Sequence, residues 1–193
     1  MTTKLLLGID EAGRGPLAGP VVAAAAIISP ASPLRKLVKD SKKLSPSKRE
    51  YLYELLMSSD DVIYGIAMVD ERMIDKINIL MATMMAMELS FNNLSVKPLY
   101  ALVDGNKSPN LSCKCIPVIG GDATEPSISA ASIIAKVTRD RYMFDMDSLY
   151  PGYGFRIHKG YPTRDHYTAL NSLGPCPIHR KSFKGVLGNE TRI

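Results

Sequence analysis

A short segment near the start of the chain constrains the fold more than any other part of the sequence. Residues 5–9 are apolar, and two carboxylates, Asp10 and Glu11, follow them directly. A turn rich in glycine and proline comes next, and a second apolar run occupies residues 21–28. This order predicts a strand, a turn that carries functional groups, and a second strand. Because neighbouring side chains of a strand point to opposite faces, the two carboxylates can share a site only if the backbone bends there.

A hairpin with a solvated acidic turn is the alternative interpretation, because most charged residues lie at the surface. Residues 8–20 contain four glycines and two prolines, however. Glycine permits a sharp bend and lets a ligand approach the main chain closely. So constrained a backbone favours a specific shape, and this segment by itself leaves both interpretations open.

The composition is that of an ordinary soluble globular protein, with 46% apolar and 22% charged residues in a chain of 193. The length predicts a single domain over residues 1–193. No apolar run is long enough to span a bilayer, and the N-terminus lacks the pattern of a signal peptide. We therefore expect a cytoplasmic protein with no membrane association.

The three cysteines are an odd number without a disulfide framework, as expected in a reducing compartment. A zinc site is one alternative use of Cys113, Cys115 and Cys176, with His179 as the fourth ligand. The spacing of the first two is tighter than in typical zinc sites, which favours small structural thiols.

Basic residues are concentrated in two parts of the chain, although the net charge is only +5. Residues 35–49 contain seven lysines and arginines against Asp40 alone. Lys42 and Lys43 lie just before a predicted helix start, and they are the first candidates for contacts with phosphate. The second group comprises Arg156, Lys159, Arg164, Arg180, Lys181 and Lys184. Such clusters are commonly solvated faces, but their position beside acidic clusters indicates a polyanion held near a metal.

Periodicity and capping signals predict alternating strands and helices. Ser45 and Pro46 resemble a helix start, with Tyr51 and Leu55 on the buried face of that helix and Leu52 and Leu56 as further candidates for it. A methionine-rich stripe in the next helix predicts core packing rather than a partner surface. The predicted strands are 5–9, 21–28, 62–69, 99–103 and 115–119, and the predicted helices are 46–57, 70–92, 127–146 and 164–173. Residues 151–162 are expected to form a loop.

Three of the predicted strands end at or near acidic residues. Asp10 and Glu11 follow the first strand, Asp104 follows the strand at 99–103, and Asp122 follows the strand at 115–119. If these strands are neighbours, four carboxylates meet at one edge of the sheet and require positive charge. Oxygen ligands suit Mg²⁺ or Mn²⁺, and two such ions could bracket a phosphate.

Together these motifs resemble those of the ribonuclease HII family over nearly the whole chain, although none would be specific alone. The matching segments, in order, are GIDEAGRGPLAGP at 8–20, DSKKLS at 40–45, VDGN at 103–106, GDA at 121–123, SISAASIIAKVTRD at 127–140, HKGYPT at 158–163 and HRKSF at 179–183. The family often has a lysine where this chain has Gly120, which leaves any role of that position in phosphate or metal binding undetermined.

The resemblance implies a ribonuclease H-like α/β fold, with a mixed five-stranded sheet flanked by helices and a C-terminal helical extension at about 150–193 that contributes substrate contacts. It implies an endonuclease that cuts the RNA strand of RNA–DNA hybrids, and we expect the protein to act as a monomer. It also implies cutting 5′ to single ribonucleotides in duplex DNA, leaving a 3′-hydroxyl and a 5′-phosphate.

The resemblance also assigns roles to individual residues. Asp10, Glu11, Asp104 and Asp122 would bind two divalent ions, Mg²⁺ or Mn²⁺. Gly13, Arg14 and Gly15 would sense the ribose 2′-hydroxyl, largely through the backbone. Tyr161 would pack on the sugar that follows the ribonucleotide, the alternative being a core residue beside Pro162.

Two other functions compete with this interpretation. A nucleic-acid-binding protein without catalysis would be expected to lack one of the acidic ligands, and all four are present. A glycosidase would use two carboxylates and a sugar-stacking cleft. A chain without tryptophan and with 7% aromatic residues does not favour that cleft.

Overall fold

A mixed five-stranded sheet forms the centre of the protein in a computed structural model that describes residues 6–38 and 44–187. The strands are β1 (Leu6–Ala12), β2 (Val21–Ile28), β3 (Val62–Val69), β4 (Tyr100–Asp104) and β5 (Lys114–Val118). Their order across the sheet is β3-β2-β1-β4-β5. β2 is antiparallel to both β1 and β3, whereas β1, β4 and β5 run parallel to one another. The predicted fold class is confirmed.

Helices cover both faces of the sheet. They are α1 (Leu34–Leu37), α2 (Pro46–Ser58), α3 (Glu71–Asn92), α4 (Gly121–Thr124), α5 (Pro126–Leu149), α6 (Phe155–His158) and α7 (Arg164–Leu173). The core on one face contains α1, α2 and α5, and the core on the other contains α3. Every residue of β2 is buried, as expected for a central strand covered on both sides. None of the helices in residues 6–38 and 44–187 is long and apolar enough to cross a bilayer.

The small residues at the start of α5 have a packing function. A Cβ added to Gly8 of β1 would lie 2.2 Å from the main-chain nitrogen of Ile128 and from the carbonyl carbon of Ser127. The first turn of α5 therefore rests directly on β1. The hydroxyl of Ser127 donates to the carbonyl of Leu6 at 2.9 Å, which fixes this contact.

The structure corrects several local predictions. In α2 the buried residues are Leu52, Tyr53 and Leu56, so the prediction is confirmed for Leu52 and Leu56 but wrong for Tyr51, which is 61% exposed. The predicted loop at 151–162 contains the one-turn helix α6.

The methionine-rich helix α3 also differs from its prediction. It is broken at Asn78, which has φ of 66° and whose side-chain oxygen accepts from the main-chain nitrogens of Leu80 and Met81. Asn78 therefore caps the second half of the helix. Met87 is buried in the core as expected, but Met81 is 52% exposed.

The C-terminal segment packs back onto the turn that follows β1. Ala18 forms an isolated bridge with His179, and the main-chain nitrogen of Arg180 donates to the carbonyl of Leu17 at 2.8 Å. The carbonyl of Gly160 accepts from the nitrogen of Leu17 at 2.7 Å. The turn at residues 13–20 is thus enclosed by two segments that are distant in sequence.

Candidate active site

The sheet topology brings the acidic residues together. Ile9 of β1 pairs with Val103 of β4, so Asp10 and Asp104 are the next residues on two adjacent parallel strands. Asp122 lies in α4, just after β5, and its main-chain nitrogen donates to the Asp104 side chain at 3.3 Å. Parallel strands place their carboxyl ends at one edge of a sheet, which is a common location for ligand sites.

The two adjacent carboxylates need no bend between them. β1 keeps a regular register with β2 through Ala12, which corrects the prediction of a bend at Asp10 and Glu11. The turn begins only at Gly13, whose φ is 97°. Asp10 is 5% exposed, so the alternative of a solvated acidic turn is wrong.

Burial and mutual repulsion act on these carboxylates. Burial raises the pKa of Asp10 well above its usual value, and the charges of Glu11 and Asp104 raise it further, while a hydrogen bond with Ser132 works in the opposite direction. Burial also raises the pKa of Glu11, against the lowering effect of Arg14, and Asp104 raises it again. A cation at this edge would relieve the repulsion, because it favours the charged form of each carboxylate.

The donor chemistry of the site fits a hard divalent ion. All four acidic residues offer carboxylate oxygens, the ligands that Mg²⁺ and Mn²⁺ prefer. Within residues 6–38 and 44–187 no three His, Cys, Asp or Glu side chains already surround a common point. The four carboxylates would hold the ions, which would supply the compensating charge.

The alternative zinc site is not formed. Cys113 and Cys115 pack beside the core under α3, whereas Cys176 belongs to a separate C-terminal cluster. Burial raises the pKa of Cys113 to about 11 and also raises that of Cys176, which disfavours the thiolate that zinc requires. The expectation of structural thiols agrees with this arrangement.

A cleft of about 450 Å³ adjoins the carboxylates. Sequence-predicted residues that line it are Glu11, Gly13, Arg14, Gly15 and Tyr161. Arg14 pairs with Glu11 at 3.3 Å, and a Cβ on Gly15 would lie 3.7 Å from the Tyr161 ring. Tyr161 is 40% exposed, so it is not a core residue. The predicted ribose-sensing residues therefore share one cleft with a predicted metal ligand.

Arg49 of α2 also lines this cleft, together with Ser132 and Lys136 of α5, to which the sequence analysis gave no role. The spacing of Ser132 and Lys136, one helical turn apart, could have indicated that they share a face of α5. Arg49 belongs to the predicted basic segment. Lys42 and Lys43 of the same segment lie outside the described residues.

The structure corrects the prediction for Arg180, a member of the second basic group. It was expected at a surface facing a polyanion, but it is fully buried. Its guanidinium donates to main-chain carbonyls, so its charge faces the protein interior and not a ligand.

Comparison with known proteins places this geometry in a family. The sequence model described as Ribonuclease HII matches residues 7–186. The chain belongs to the ribonuclease HII family. It is 51% identical over 183 residues to "Ribonuclease HII" of Burkholderia lata, covering 95% of this chain and 85% of that protein. Family membership makes the chain an endoribonuclease, a hydrolase with ribonuclease H activity on RNA–DNA.

Solved structures show the same architecture. The crystal structure of ribonuclease H2 from Pyrococcus horikoshii OT3 is similar with a TM-score of 0.78 and 31% identity, covering 94% of each chain. Bst-RNase HIII in complex with Mn²⁺ has a TM-score of 0.71 and 18% identity, over 94% of this chain and 68% of that one. The second likeness concerns the fold alone.

Proposed function

We propose that the enzyme cuts the RNA strand of RNA–DNA hybrids and also cuts 5′ to a single ribonucleotide embedded in duplex DNA, leaving a 3′-hydroxyl and a 5′-phosphate. The observation that carries this proposal is the single cleft that contains Glu11, the turn at 13–15 and Tyr161 beside the buried carboxylates. The cleft would thus bring the reaction centre and the ribose sensor to the same nucleotide.

Asp10, Glu11, Asp104 and Asp122 would hold two divalent ions, Mg²⁺ or Mn²⁺. Bound there, the ions would supply an activated water and stabilise the leaving oxygen of the phosphodiester. The protein's own groups orient the carboxylates: Ser132 hydrogen-bonds with Asp10, and Arg14 contacts Glu11 at 3.3 Å. This pre-organisation lowers the cost of arranging ligands during the reaction.

Substrate recognition follows from the shape of the turn. The 2′-hydroxyl is the one group that distinguishes ribose from deoxyribose, and it both donates and accepts hydrogen bonds. Gly15 leaves the main chain accessible from the cleft, whereas the missing side chain of Gly13 makes room for Arg139. Tyr161 of the C-terminal extension offers a flat surface for the following sugar. A main-chain group left unpaired by deoxyribose costs about 1–3 kcal/mol, which is enough for discrimination.

The phosphates of the duplex would be held by basic residues of the cleft. Arg49 and Lys136 line it directly, and Lys42 and Lys43 stay predicted phosphate contacts. Each such contact releases counterions, so binding should weaken with added salt.

The proposal is tested with a duplex DNA that contains one ribonucleotide, an identical all-DNA duplex and an RNA–DNA hybrid, each with Mg²⁺ and with EDTA. We expect cleavage of the first and third in Mg²⁺ only. Asp10→Asn keeps the side-chain shape but removes a charged ligand, so turnover should be largely lost in a protein that melts normally.

Asp60→Asn is the matched control, because Asp60 is an exposed carboxylate at the opposite end of the sheet. It should cut at the wild-type rate. A near-normal Mg²⁺-dependent rate for Asp10→Asn would rule out the metal-ligand assignment. Cleavage that survives EDTA would rule out a metal-dependent reaction.

A further inference from the structure

Arg180 forms an unusual set of hydrogen bonds beneath the turn at residues 13–19. Its side chain is fully buried. The guanidinium donates to four main-chain carbonyls of this one turn: Gly13 at 2.6 Å, Arg14 at 3.0 Å, Pro16 at 2.7 Å and Gly19 at 2.9 Å. A planar guanidinium has five N–H donors in a fixed geometry, so these carbonyls are held in fixed directions relative to one another.

Arg139 of α5 holds the same turn from another side. It is also fully buried, and it donates to the carbonyls of Pro20, Ala18 and Lys159 at 3.0 Å each. A Cβ on Gly13 would lie 2.1 Å from its Nε. Its guanidinium carbon lies 5.9 Å from the centre of the Tyr161 ring. Arg139 therefore links the turn to the segment that carries Tyr161.

Neither arginine takes part in an ion pair among the described residues. Burial and, after it, the charge of nearby Arg139 lower the pKa of Arg180 to about 9, against the opposite effect of Asp75 and Glu71. Burial lowers the pKa of Arg139 to about 10. Burying two cations without a bonded carboxylate is costly. Their hydrogen bonds to the turn offset part of that cost.

The direction of these carbonyls decides the direction of the neighbouring amides. In a planar trans peptide the C=O and the following N–H point to opposite sides, and no cis peptide occurs in the described chain. Because the carbonyls of Gly13 and Arg14 point inward to Arg180, the N–H groups of Arg14 and Gly15 point away from it. Those two residues line the cleft.

We propose that Arg180 and Arg139 are positioning residues for ribose selection, which orient the amides of the 13–15 turn towards the sugar and set its distance from Tyr161. The inference rests on the proposed function, because it assumes that this turn reads the 2′-hydroxyl. The C-terminal segment is itself fastened by Asp75, which accepts from the main-chain nitrogens of Lys181 and Ser182 at 2.9 Å each. Arg180 thus projects from an anchored segment.

The test measures binding without turnover. Fluorescence anisotropy in EDTA gives the affinity of the full chain for a duplex with one ribonucleotide and for the same duplex made of DNA. Arg180→Lys keeps the charge, but an ammonium cannot reach four carbonyls. We expect the ratio of the two affinities to fall by about 3- to 10-fold, the value of one hydrogen bond, with the all-DNA affinity unchanged. Arg139→Lys should act in the same direction.

Arg141→Lys is the matched control, because Arg141 is exposed on the same helix and pairs with Glu50 and Glu54. It should leave the ratio unchanged. All variants are compared at a temperature where circular dichroism shows them folded. A folded Arg180→Lys with the wild-type ratio overturns the inference, and so does failure of both variants to fold, because the arginines would then serve the fold itself. A wild-type chain with no ribose preference would instead reject the proposed function.

Discussion

His179 lies in a buried hydrogen-bond network that should make the stability of the protein depend on pH. The Nδ1 of His166 donates to the carbonyl of Tyr161 at 3.0 Å, so its Nε2 must be the acceptor for His179 Nε2, also at 3.0 Å. The Nδ1 of His179 in turn accepts from the main-chain nitrogen of Cys176 at 2.9 Å. Both imidazoles are therefore neutral, because an additional proton on either ring would place one N–H donor directly opposite another.

Burial, followed by the proximity of His166, lowers the pKa of His179 from 6.5 to about 4. The unfolded chain thus binds a proton at a higher pH than the folded chain, and acid favours unfolding. The stability that the neutral His179 gives to the folded state is fully present above pH 7.5 and is lost progressively as the pH falls below 6.5. Between pH 8 and pH 5 the loss is about 2 kcal/mol, or about 4–8 °C in Tm for a domain of this size.

His166 acts in the same direction, since burial lowers its pKa as well. Asp10 and Glu11 act in the opposite direction, because their raised pKa values stabilise the folded state in acid. The contribution of His179 is therefore measured as a difference between proteins. Thermal melts of the wild type and of His179→Gln at pH 8 and pH 5 cancel the carboxylate contributions. The fall in Tm should be about 4–8 °C smaller for the variant.

Tyr153→Phe is the control for a general loss of stability, because the Tyr153 ring lies 5.1 Å from that of His179. It removes the hydrogen bond from the Tyr153 hydroxyl to the carbonyl of Gly174 at 2.6 Å, and no group that titrates between pH 5 and pH 8. It should lower Tm equally at both pH values. If His179→Gln loses as many degrees in acid as the wild type does, the buried neutral imidazole does not control acid stability.

Two substitutions test the packing of the sheet and the role of the cleft. Gly8→Ala would place a methyl group 2.2 Å from the backbone of Ser127 and Ile128. Urea unfolding should therefore show that the free energy of unfolding falls by about 1–3 kcal/mol or more. An unfolding midpoint equal to that of the wild type would contradict the contact. Tyr161→Ala should slow cutting at a single ribonucleotide with little change in Tm, because the ring is 40% exposed; a wild-type rate, or a loss explained by unfolding, would reject its contact with the sugar.

The sequence alone was sufficient for the elements that depend on local patterns. The apolar runs predicted all five strands to within a few residues, because strands covered by helices on both faces are apolar along their length. The acidic residues after three of these strands predicted a common edge, on the condition that the strands are neighbours. The topology β1-β4-β5 meets that condition. Among the site residues drawn from the family resemblance, five line one cleft: Glu11, Gly13, Arg14, Gly15 and Tyr161.

The tertiary structure decided which helix face is buried and where a helix is interrupted, because local sequence patterns do not determine these features. Tyr51 and Leu52 are both compatible with an apolar helix face, and only packing against α5 selected Leu52. The break of α3 at Asn78 depends on a side-chain cap that competes with helix continuation. Neither outcome follows from hydropathy, because the alternatives differ by only a few contacts.

The two buried arginines show the same limit most clearly. In the sequence Arg180 belongs to a basic cluster, and charged residues are normally placed at the surface. Its burial depends on carbonyls of residues 13–19, more than 160 positions away in the chain, which the fold turns towards it. Every residue has a main-chain carbonyl that can accept a hydrogen bond, so the acceptors of Arg180 cannot be recognised from their side chains. The sequence could therefore indicate the turn that reads the substrate, but only the fold shows what holds that turn in place.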